Sequence, residues 1–217
     1  MNKSIKLLVF DWDGTLADST ASIVSAMRTA IDECGFDPRS DENIKDIIGL
    51  GLLQAAAVLY PDLIPEHWEK LAHKYRLHYS LANHGRTKLF PGVQNTLDHL
   101  KILDYQLAIA TGKSRKGLNN SLRDTGVEEF FHFSRCADEA ISKPHPQMLM
   151  EIMDELDVKP AQTVMIGDSE YDLQMANNAG VKPVAVTYGS QTRDHLLKYK
   201  PVVCLDKITD LVRWLVS

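Results

Sequence analysis

The chain has 217 residues, a formal net charge of −5, and 44% hydrophobic and 24% charged residues. This length supports a substantial core, and the composition is that of a soluble globular protein rather than of a basic nucleic-acid-binding surface. No apolar run is long enough for a signal peptide or a membrane span, and the three cysteines fit neither a zinc site nor a disulfide framework. We therefore expect a cytoplasmic protein without nucleic-acid or membrane partners.

The first predicted strand is the apolar run at residues 5–10, which leads directly into Asp11-Trp12-Asp13-Gly14-Thr15. Two carboxylates one residue apart at the end of a buried strand are costly unless a positive charge lies between them. One carboxylate could attack as a nucleophile and the other could carry a proton, with a hard cation holding the reacting group. Acidic residues before a glycine are also typical of an ordinary turn, so the remaining chain must decide.

Residues 16–85 show no strand signal and four helical patterns. The patterns begin at Ser19 and Thr20, at Ser40 and Asp41, at Leu52 and at Pro65. Ser, Thr and Asp are favoured helix N-caps, and proline is favoured in a first helical turn. We therefore predict an all-helical cap at residues 16–85, inserted into an α/β core made of residues 1–15 and 86–217.

From about residue 90 onward, short apolar runs alternate with helical patterns. The runs predict strands at residues 106–110, 163–166, 182–186 and 202–205, and the patterns predict helices at 92–103, 114–124, 145–156, 171–178 and 208–216. Helices between short apolar strands require crossover connections and a parallel sheet covered on both faces. The predicted fold is therefore an α/β, doubly wound parallel sheet.

Polar residues follow the predicted strands at their carboxyl ends. Thr111-Gly112-Lys113 follows the strand at 106–110, Gly167-Asp168 and then Asp172 follow the strand at 163–166, and Lys143-Pro144 opens a helix between them. Ligands of doubly wound sheets bind outside the carboxyl ends of the strands, near the switch in strand order. We expect these residues to meet Asp11 and Asp13 there.

Asp11 and Asp13 could supply two groups that phosphoryl transfer needs, a nucleophile and a proton carrier. Asp11 can attack the phosphorus atom, and Asp13 can give and take the proton of the leaving oxygen. We expect crowding with other carboxylates to raise the pKa of Asp13 toward that of a general acid. Lys143 supplies a positive charge against these acids.

Donors for the phosphate oxygens come from the residues after the second strand. The hydroxyl of Thr111 and the backbone N–H groups of Gly112 and Lys113 lie at a predicted helix N-terminus, where anions bind. The Lys113 ammonium could also contact an anionic substrate. The alternative is that Lys113, Arg115 and Lys116 form an ordinary solvated face.

Asp11, Asp168 and Asp172 together predict a metal site. Oxygen ligands suit Mg²⁺, and Mg²⁺ would offset the negative charge of the grouped acids. Asp172 has an alternative interpretation, because an acid in a first helical turn also interacts favourably with the helix dipole.

Taken in order, these segments resemble the four motifs of the haloacid dehalogenase superfamily. The segments are Asp11-Trp12-Asp13-Gly14-Thr15, Thr111, Lys143-Pro144, and Gly167-Asp168 with Asp172. The resemblance covers essentially the whole chain, since the helical insertion resembles the mobile cap that the family places after its first motif. The segments around these motifs look most like the phosphoglycolate phosphatase branch.

The resemblance implies a role for each motif residue. Asp11 would be the nucleophile and Asp13 the acid and base, with the Asp13 backbone carbonyl also on Mg²⁺. Thr111 and Lys143 would bind phosphate. Asp168 would ligate the metal, and Asp172 would do so directly or through water.

The expected function is a Mg²⁺-dependent phosphomonoester hydrolase that forms an aspartyl-phosphate. Its substrate would be a small phosphorylated metabolite, with 2-phosphoglycolate the leading candidate. One alternative is a phosphosugar mutase of the same superfamily, which would pass the phosphoryl group to a second sugar hydroxyl. Another is a non-enzymatic phospho-acceptor or binding protein.

Overall fold

A six-stranded parallel sheet forms the centre of the protein in the computed structural model, which describes residues 4–83 and 87–217. Its strands are β1 (Leu7–Phe10), β2 (Gln106–Thr111), β3 (Phe133–Cys136), β4 (Thr163–Gly167), β5 (Lys182–Val186) and β6 (Val203–Leu205). They lie in the order β3-β2-β1-β4-β5-β6, and all neighbours are parallel. The order reverses at β1, so the chain after β1 emerges at the topological switch point.

Helices cover both faces of this sheet, which confirms the predicted doubly wound α/β fold. They are α5 (Val93–Ile102), α6 (Arg115–Thr125), α7 (Gln147–Glu155), α8 (Glu170–Asn178), α9 (Arg193–Leu196) and α10 (Asp210–Val216). Successive strand residues point to opposite faces. Leu8 and Phe10 of β1 therefore pack in one apolar cluster with α5, α6 and α10, while Leu7 and Val9 pack in another with α7 and α8.

Among the described residues between β1 and α5 there are four inserted helices. They are α1 (Thr20–Cys34), α2 (Asp41–Asp46), α3 (Leu52–Leu59) and α4 (Pro65–Asn83). Met27, Ile44, Ala56 and Leu71 belong to an apolar cluster of their own, separate from the two clusters that flank the sheet. The boundary predicted at residues 85 and 86 lies outside the described residues.

Two elements differ from the sequence-based expectation, the strand β3 and the short helix α9. In β3 only Cys136 is buried, while the other three residues are partly exposed, because β3 is an edge strand that pairs with β2 alone. Its Phe-Ser-Arg-Cys sequence has neither an apolar run nor a clear alternation. Pairing with a distant strand, rather than local pattern, therefore makes these residues a strand.

Candidate active site

Three carboxylates and one ammonium group meet in a buried cluster at the carboxyl end of the sheet. Asp11 follows β1, Asp168 follows β4, and Asp172 lies in the first turn of α8. One carboxylate oxygen from each lies within 4.8 Å of the others. These are the three residues for which the sequence predicted a metal site.

Lys143 lies inside this cluster and is completely buried. Its ammonium donates hydrogen bonds to Asp11 Oδ1 at 2.7 Å and to Asp172 Oδ1 at 2.6 Å. Burial alone would lower the pKa of Lys143, but the charges of Asp11 and Asp172 raise it above its ordinary value. Lys143 is therefore a fixed cation, and its hydrogen bonds to described residues leave one of its three N–H donors for a further acceptor.

The acids of the cluster lack full compensation for their charge. Burial raises the pKa of Asp11 well above its ordinary value despite the opposing charge of Lys143. Burial, followed by the charge of Asp172, raises the pKa of Asp168 to about 6. Three carboxylates against one ammonium leave two excess negative charges, which one divalent cation would balance.

One carboxylate oxygen of the cluster tests whether the site fits a cation. Asp11 Oδ2 is buried and has no hydrogen-bond partner among the described residues. A buried carboxylate oxygen without a partner is costly, so a metal ion or a substrate group at this point would remove a real penalty. The all-oxygen donor set suits Mg²⁺, and the residues present therefore fit that ion.

Hydrogen bonds fix the orientation of the Asp168 carboxylate. Thr15 Oγ1 donates to Asp168 Oδ1 at 2.9 Å, and the backbone N–H and hydroxyl of Ser190 both donate to Oδ2 at 2.7 Å. A Cβ atom on Gly14, which has φ of 81°, would lie 2.2 Å from Asp168 Oδ2. Gly14 is therefore required by both its backbone conformation and the close approach of the acid.

Asp172 is held by its own helix turn. The backbone N–H of Ser169 donates to Asp172 Oδ2 at 3.1 Å, and its hydroxyl donates at 2.7 Å. This local arrangement is a helix-capping interaction, while Asp172 Oδ1 faces Lys143. Both interpretations of Asp172 therefore apply: its Oδ2 caps the helix, and its Oδ1 belongs to the charged cluster.

Asp13 has different neighbours from the three clustered acids. Ser19 Oγ donates to Asp13 Oδ1 at 2.6 Å, and the Lys113 ammonium lies 3.0 Å from the same oxygen. Lys113 also donates to the Tyr79 hydroxyl at 3.2 Å. The sequence led us to expect carboxylates around Asp13. In the structure, its carboxylate instead contacts the ammonium group of Lys113.

The end of β2 and the residues after it lie against the loop between α2 and α3. Thr111 is buried, and its hydroxyl accepts a hydrogen bond from the backbone N–H of Lys113 at 3.2 Å. A Cβ atom on Gly112 would lie 2.5 Å from the carbonyl oxygen of Leu50 and 2.7 Å from that of Gly49. Gly112 therefore allows the loop between α2 and α3 to approach the predicted phosphate-binding residues.

A cavity of about 780 Å³ opens above Asp11 and Asp13. The inserted helices supply an apolar and aromatic wall that includes Met27, Tyr75 and Tyr79, and the sheet side supplies Lys113, Ser114 and Ser142. Of the predicted catalytic and phosphate-binding residues, Asp11, Asp13 and Gly112 line this cavity. Thr111 and Lys143 lie outside its lining, but Lys143 contacts the cavity residue Asp11.

Sequence reasoning missed several residues that complete the site, namely Thr15, Ser19, Tyr79, Ser169 and Ser190. Ser190 had a weak signal, since it lies in the loop after β5, whereas Asp168 follows β4 directly. Tyr79 had none, because its position on a long polar helix does not show that it meets Lys113, 34 residues away.

Comparison with known families decides how to interpret this arrangement. A model of the family described as haloacid dehalogenase-like hydrolase matches residues 8–186. The chain belongs to this family. The matched region holds every residue of the cluster, from Asp11 to Asp172.

Individual relatives of this hydrolase agree with the assignment. A phosphoglycolate phosphatase of Vibrio cholerae is 30% identical over 218 residues, which are 97% of this chain and 96% of the relative. A pyrophosphatase, PpaX, of Bacillus mycoides is 28% identical over 220 residues, which are 96% and 95% of the two chains. The haloacid dehalogenase-like hydrolase described here is thus a phosphatase.

A solved structure confirms the fold of this hydrolase. A protein described as a haloacid dehalogenase-like hydrolase of Bacteroides fragilis superimposes with a TM-score of 0.89 at 28% identity, and covers 95% of this chain and 99% of its own. Within the described residues, no helix is both long and apolar enough to cross a bilayer.

Proposed function

We propose that the protein is a Mg²⁺-dependent phosphomonoester hydrolase that forms an aspartyl-phosphate on Asp11. The observation that supports this most directly is the buried Oδ2 of Asp11, which has no partner in the described part of the chain and lies beside Lys143 at the floor of the cavity. Its second oxygen is fixed by Lys143, so the free oxygen has a defined direction for attack on phosphorus.

The reaction has two steps. In the first, Asp11 Oδ2 forms a bond to phosphorus, the bond to the leaving oxygen breaks, and Asp13 donates its proton to that oxygen. In the second, Asp13 takes a proton from water as the water attacks phosphorus, and the Asp11 carboxylate departs. Thr111, the Gly112 N–H and the third donor of Lys143 would hold the phosphate oxygens.

Asp11, Asp168, Asp172 and the backbone carbonyl of Asp13 would hold the Mg²⁺ ion. The ion, when bound, supplies positive charge that offsets the acids and the phosphate oxygens. The hydrogen bonds from Thr15, Ser169 and Ser190 would keep its carboxylate ligands oriented.

We further propose residues 16–85 as a cap domain over a core of residues 1–15 and 86–217. The proposal is supported by the separate apolar cluster of the inserted helices and by the cavity between these helices and the sheet. A cap in this position would exclude water during the first step and select the leaving group.

The leading substrate candidate is 2-phosphoglycolate, a small phosphorylated metabolite. The name of the Vibrio cholerae relative supports it, and the name of the Bacillus mycoides relative makes inorganic pyrophosphate the second candidate. Both compounds release an anion when the phosphoryl group leaves. The free state of Cys34, Cys136 and Cys204 fits a reducing cytoplasm as the place of action.

A substrate panel tests this proposal. Purified protein would be assayed with and without Mg²⁺ on 2-phosphoglycolate, pyrophosphate and hexose phosphates, with phosphate release and sugar-phosphate isomers measured separately. We expect Mg²⁺-dependent phosphate release that is fastest on 2-phosphoglycolate. Isomerisation of a hexose phosphate without phosphate release would instead identify a mutase.

A further inference from the structure

We propose that Lys113 selects the leaving group, by binding an anionic group that lies beside the leaving oxygen, and that Tyr79 of α4 positions Lys113 for this task. The inference rests on the proposed function, since it concerns which phosphomonoesters the same site accepts. It assigns the specificity of the enzyme to one ammonium group on the sheet side and one phenol on the inserted helices.

The position of Lys113 relative to Asp13 is the main argument. The Lys113 Nζ atom lies 3.0 Å from Asp13 Oδ1. A general acid must approach the leaving oxygen to about 2.6–3.2 Å, so a leaving oxygen that meets Asp13 Oδ1 would lie no more than about 6 Å from Lys113 Nζ. A carboxylate one carbon beyond the leaving oxygen extends into this gap, whereas the phosphoryl group points the other way, toward Asp11.

Lys113 is available for such an anion. An ammonium group has three N–H donors, and within residues 4–83 and 87–217 the contacts to Asp13 and Tyr79 occupy two of them. Its side chain is 9% exposed but lines the cavity, so an anion would meet it in a poorly hydrated space where charge interactions are strong. Although burial would lower the pKa of Lys113, the charge of Asp13 raises it, and the group stays positive.

Tyr79 holds this ammonium from the side of the inserted helices. Its hydroxyl accepts the 3.2 Å hydrogen bond, and Lys113 Nζ lies 4.6 Å from the centre of its ring. The Tyr79 ring stacks on Tyr75, one helical turn earlier, with ring centres 5.5 Å apart. Two stacked rings on α4 therefore restrict where the Lys113 ammonium can lie, so Tyr79 acts as a positioning residue.

Neighbouring cations do not share this geometry. Arg115 is bound by both carboxylate oxygens of Glu139 at 2.8 Å and by the Ser134 hydroxyl at 2.7 Å, so it fastens α6 to β3. Lys116 lines the same cavity but is exposed to solvent, where its charge is screened. Lys116 is thus a matched control for the loss of one positive charge from the cavity wall.

The test compares two esters of similar size that differ in the charge of the leaving group. These are 2-phosphoglycolate and 2-hydroxyethyl phosphate, and the measured quantity is the ratio of their kcat/KM values with Mg²⁺. We expect the wild-type protein to prefer 2-phosphoglycolate about 10- to 100-fold, the range that a hydrogen bond to a charged group supports. Lys113→Met should reduce the ratio to near one, mainly through KM for 2-phosphoglycolate.

Companion variants separate recognition from folding and from general charge. Lys116→Met should keep the wild-type ratio, Lys113→Arg should retain part of it, and Tyr79→Phe should lower it severalfold. If Lys113→Met does not fold, Lys113→Gln replaces it, because the Gln amide can still bond to Asp13 and Tyr79 without a charge.

Three results would overturn the inference while leaving the proposed hydrolase intact. They are equal wild-type efficiency on the two esters, an unchanged ratio in the Lys113 variants, and an equal loss of the ratio in Lys116→Met. Failure of the proposed function is a different result, namely no Mg²⁺-dependent phosphate release from either ester, and it would remove the inference as well.

Discussion

Ser190 orients a carboxylate of the proposed metal site although it is not itself one of the proposed ligands. It supplies two of the three hydrogen bonds that orient Asp168, from a position 22 residues further along the chain. Residues that orient a metal ligand commonly contribute about 10- to 100-fold to metal affinity or activity.

We predict that Ser190→Ala weakens Mg²⁺ binding about tenfold, because Asp168 keeps the backbone N–H but loses the hydroxyl. The measurement is the Mg²⁺ concentration that gives half-maximal phosphate release. Ser25→Ala, which removes an exposed hydroxyl on α1, should leave this concentration unchanged. An unchanged Mg²⁺ requirement in Ser190→Ala would show that the hydroxyl does not support the ligand.

Sequence reasoning reached the charged residues of the site but not the groups that hold them. Asp11, Asp168 and Asp172 could be predicted to meet, because strand ends of a parallel sheet converge and the order of strands is limited. The contact between Tyr79 and Lys113 joins α4 to the loop between β2 and α6, and the placement of the helix relative to that loop depends on tertiary packing. No local sequence pattern predicts that packing.

At the scale of elements, the loop between α2 and α3 and the segment after β2 form a close backbone contact. Gly112 faces the carbonyl groups of Gly49 and Leu50, and the backbone N–H of Gly51 donates to Ser142 Oγ at 2.7 Å. The inserted helices therefore contact the chain at two of the segments that the sequence assigned to phosphate binding.

We predict that Gly112→Ala lowers kcat/KM at least tenfold, because the new methyl would lie within 3 Å of two carbonyl oxygens and would displace the inserted helices from the site. Steady-state kinetics and thermal unfolding measure the effect. Gly117→Ala is the control, since it adds the same methyl within α6, where alanine is favoured over glycine. Wild-type kinetics in Gly112→Ala would mean that this contact plays no part in turnover.

Elements with strong local patterns were predicted well, and the exceptions have a physical cause. β1 is a buried apolar run, and α4 starts with proline at its first position. β3 has only one buried residue and becomes a strand through its ladder with β2. A short edge strand of this kind is specified by its partner, which the sequence does not reveal.

At the scale of the whole molecule, the buried acids connect stability, pH and metal binding. Burial raises the pKa of Asp168 to about 6, above the ordinary value of an aspartate. A raised pKa means that the folded protein binds this proton more tightly than the unfolded chain does. Without metal, the charged form therefore costs stability above pH 6, and protonation relieves that cost as the pH falls through 6 toward 4.

We predict that Mg²⁺ raises the melting temperature more at pH 7.5 than at pH 5. At pH 7.5 the ion would compensate charged carboxylates, whereas at pH 5 it must compete with the proton on Asp168 and on Asp11, whose pKa is also raised. Thermal unfolding with Mg²⁺ or with a chelator at both pH values measures this. An equal shift at both would contradict the proposed ligand set.

In the proposed reaction, Asp11 carries the phosphoryl group during turnover. The direct measurement is rapid acid quenching of the enzyme with Mg²⁺ and 2-phosphoglycolate, followed by mass spectrometry of the peptide that contains Asp11. We expect a phosphoryl group on Asp11 during turnover and neither that adduct nor phosphate release in Asp11→Asn. Turnover by Asp11→Asn at the wild-type rate, or a phosphoryl group on another residue alone, would contradict it.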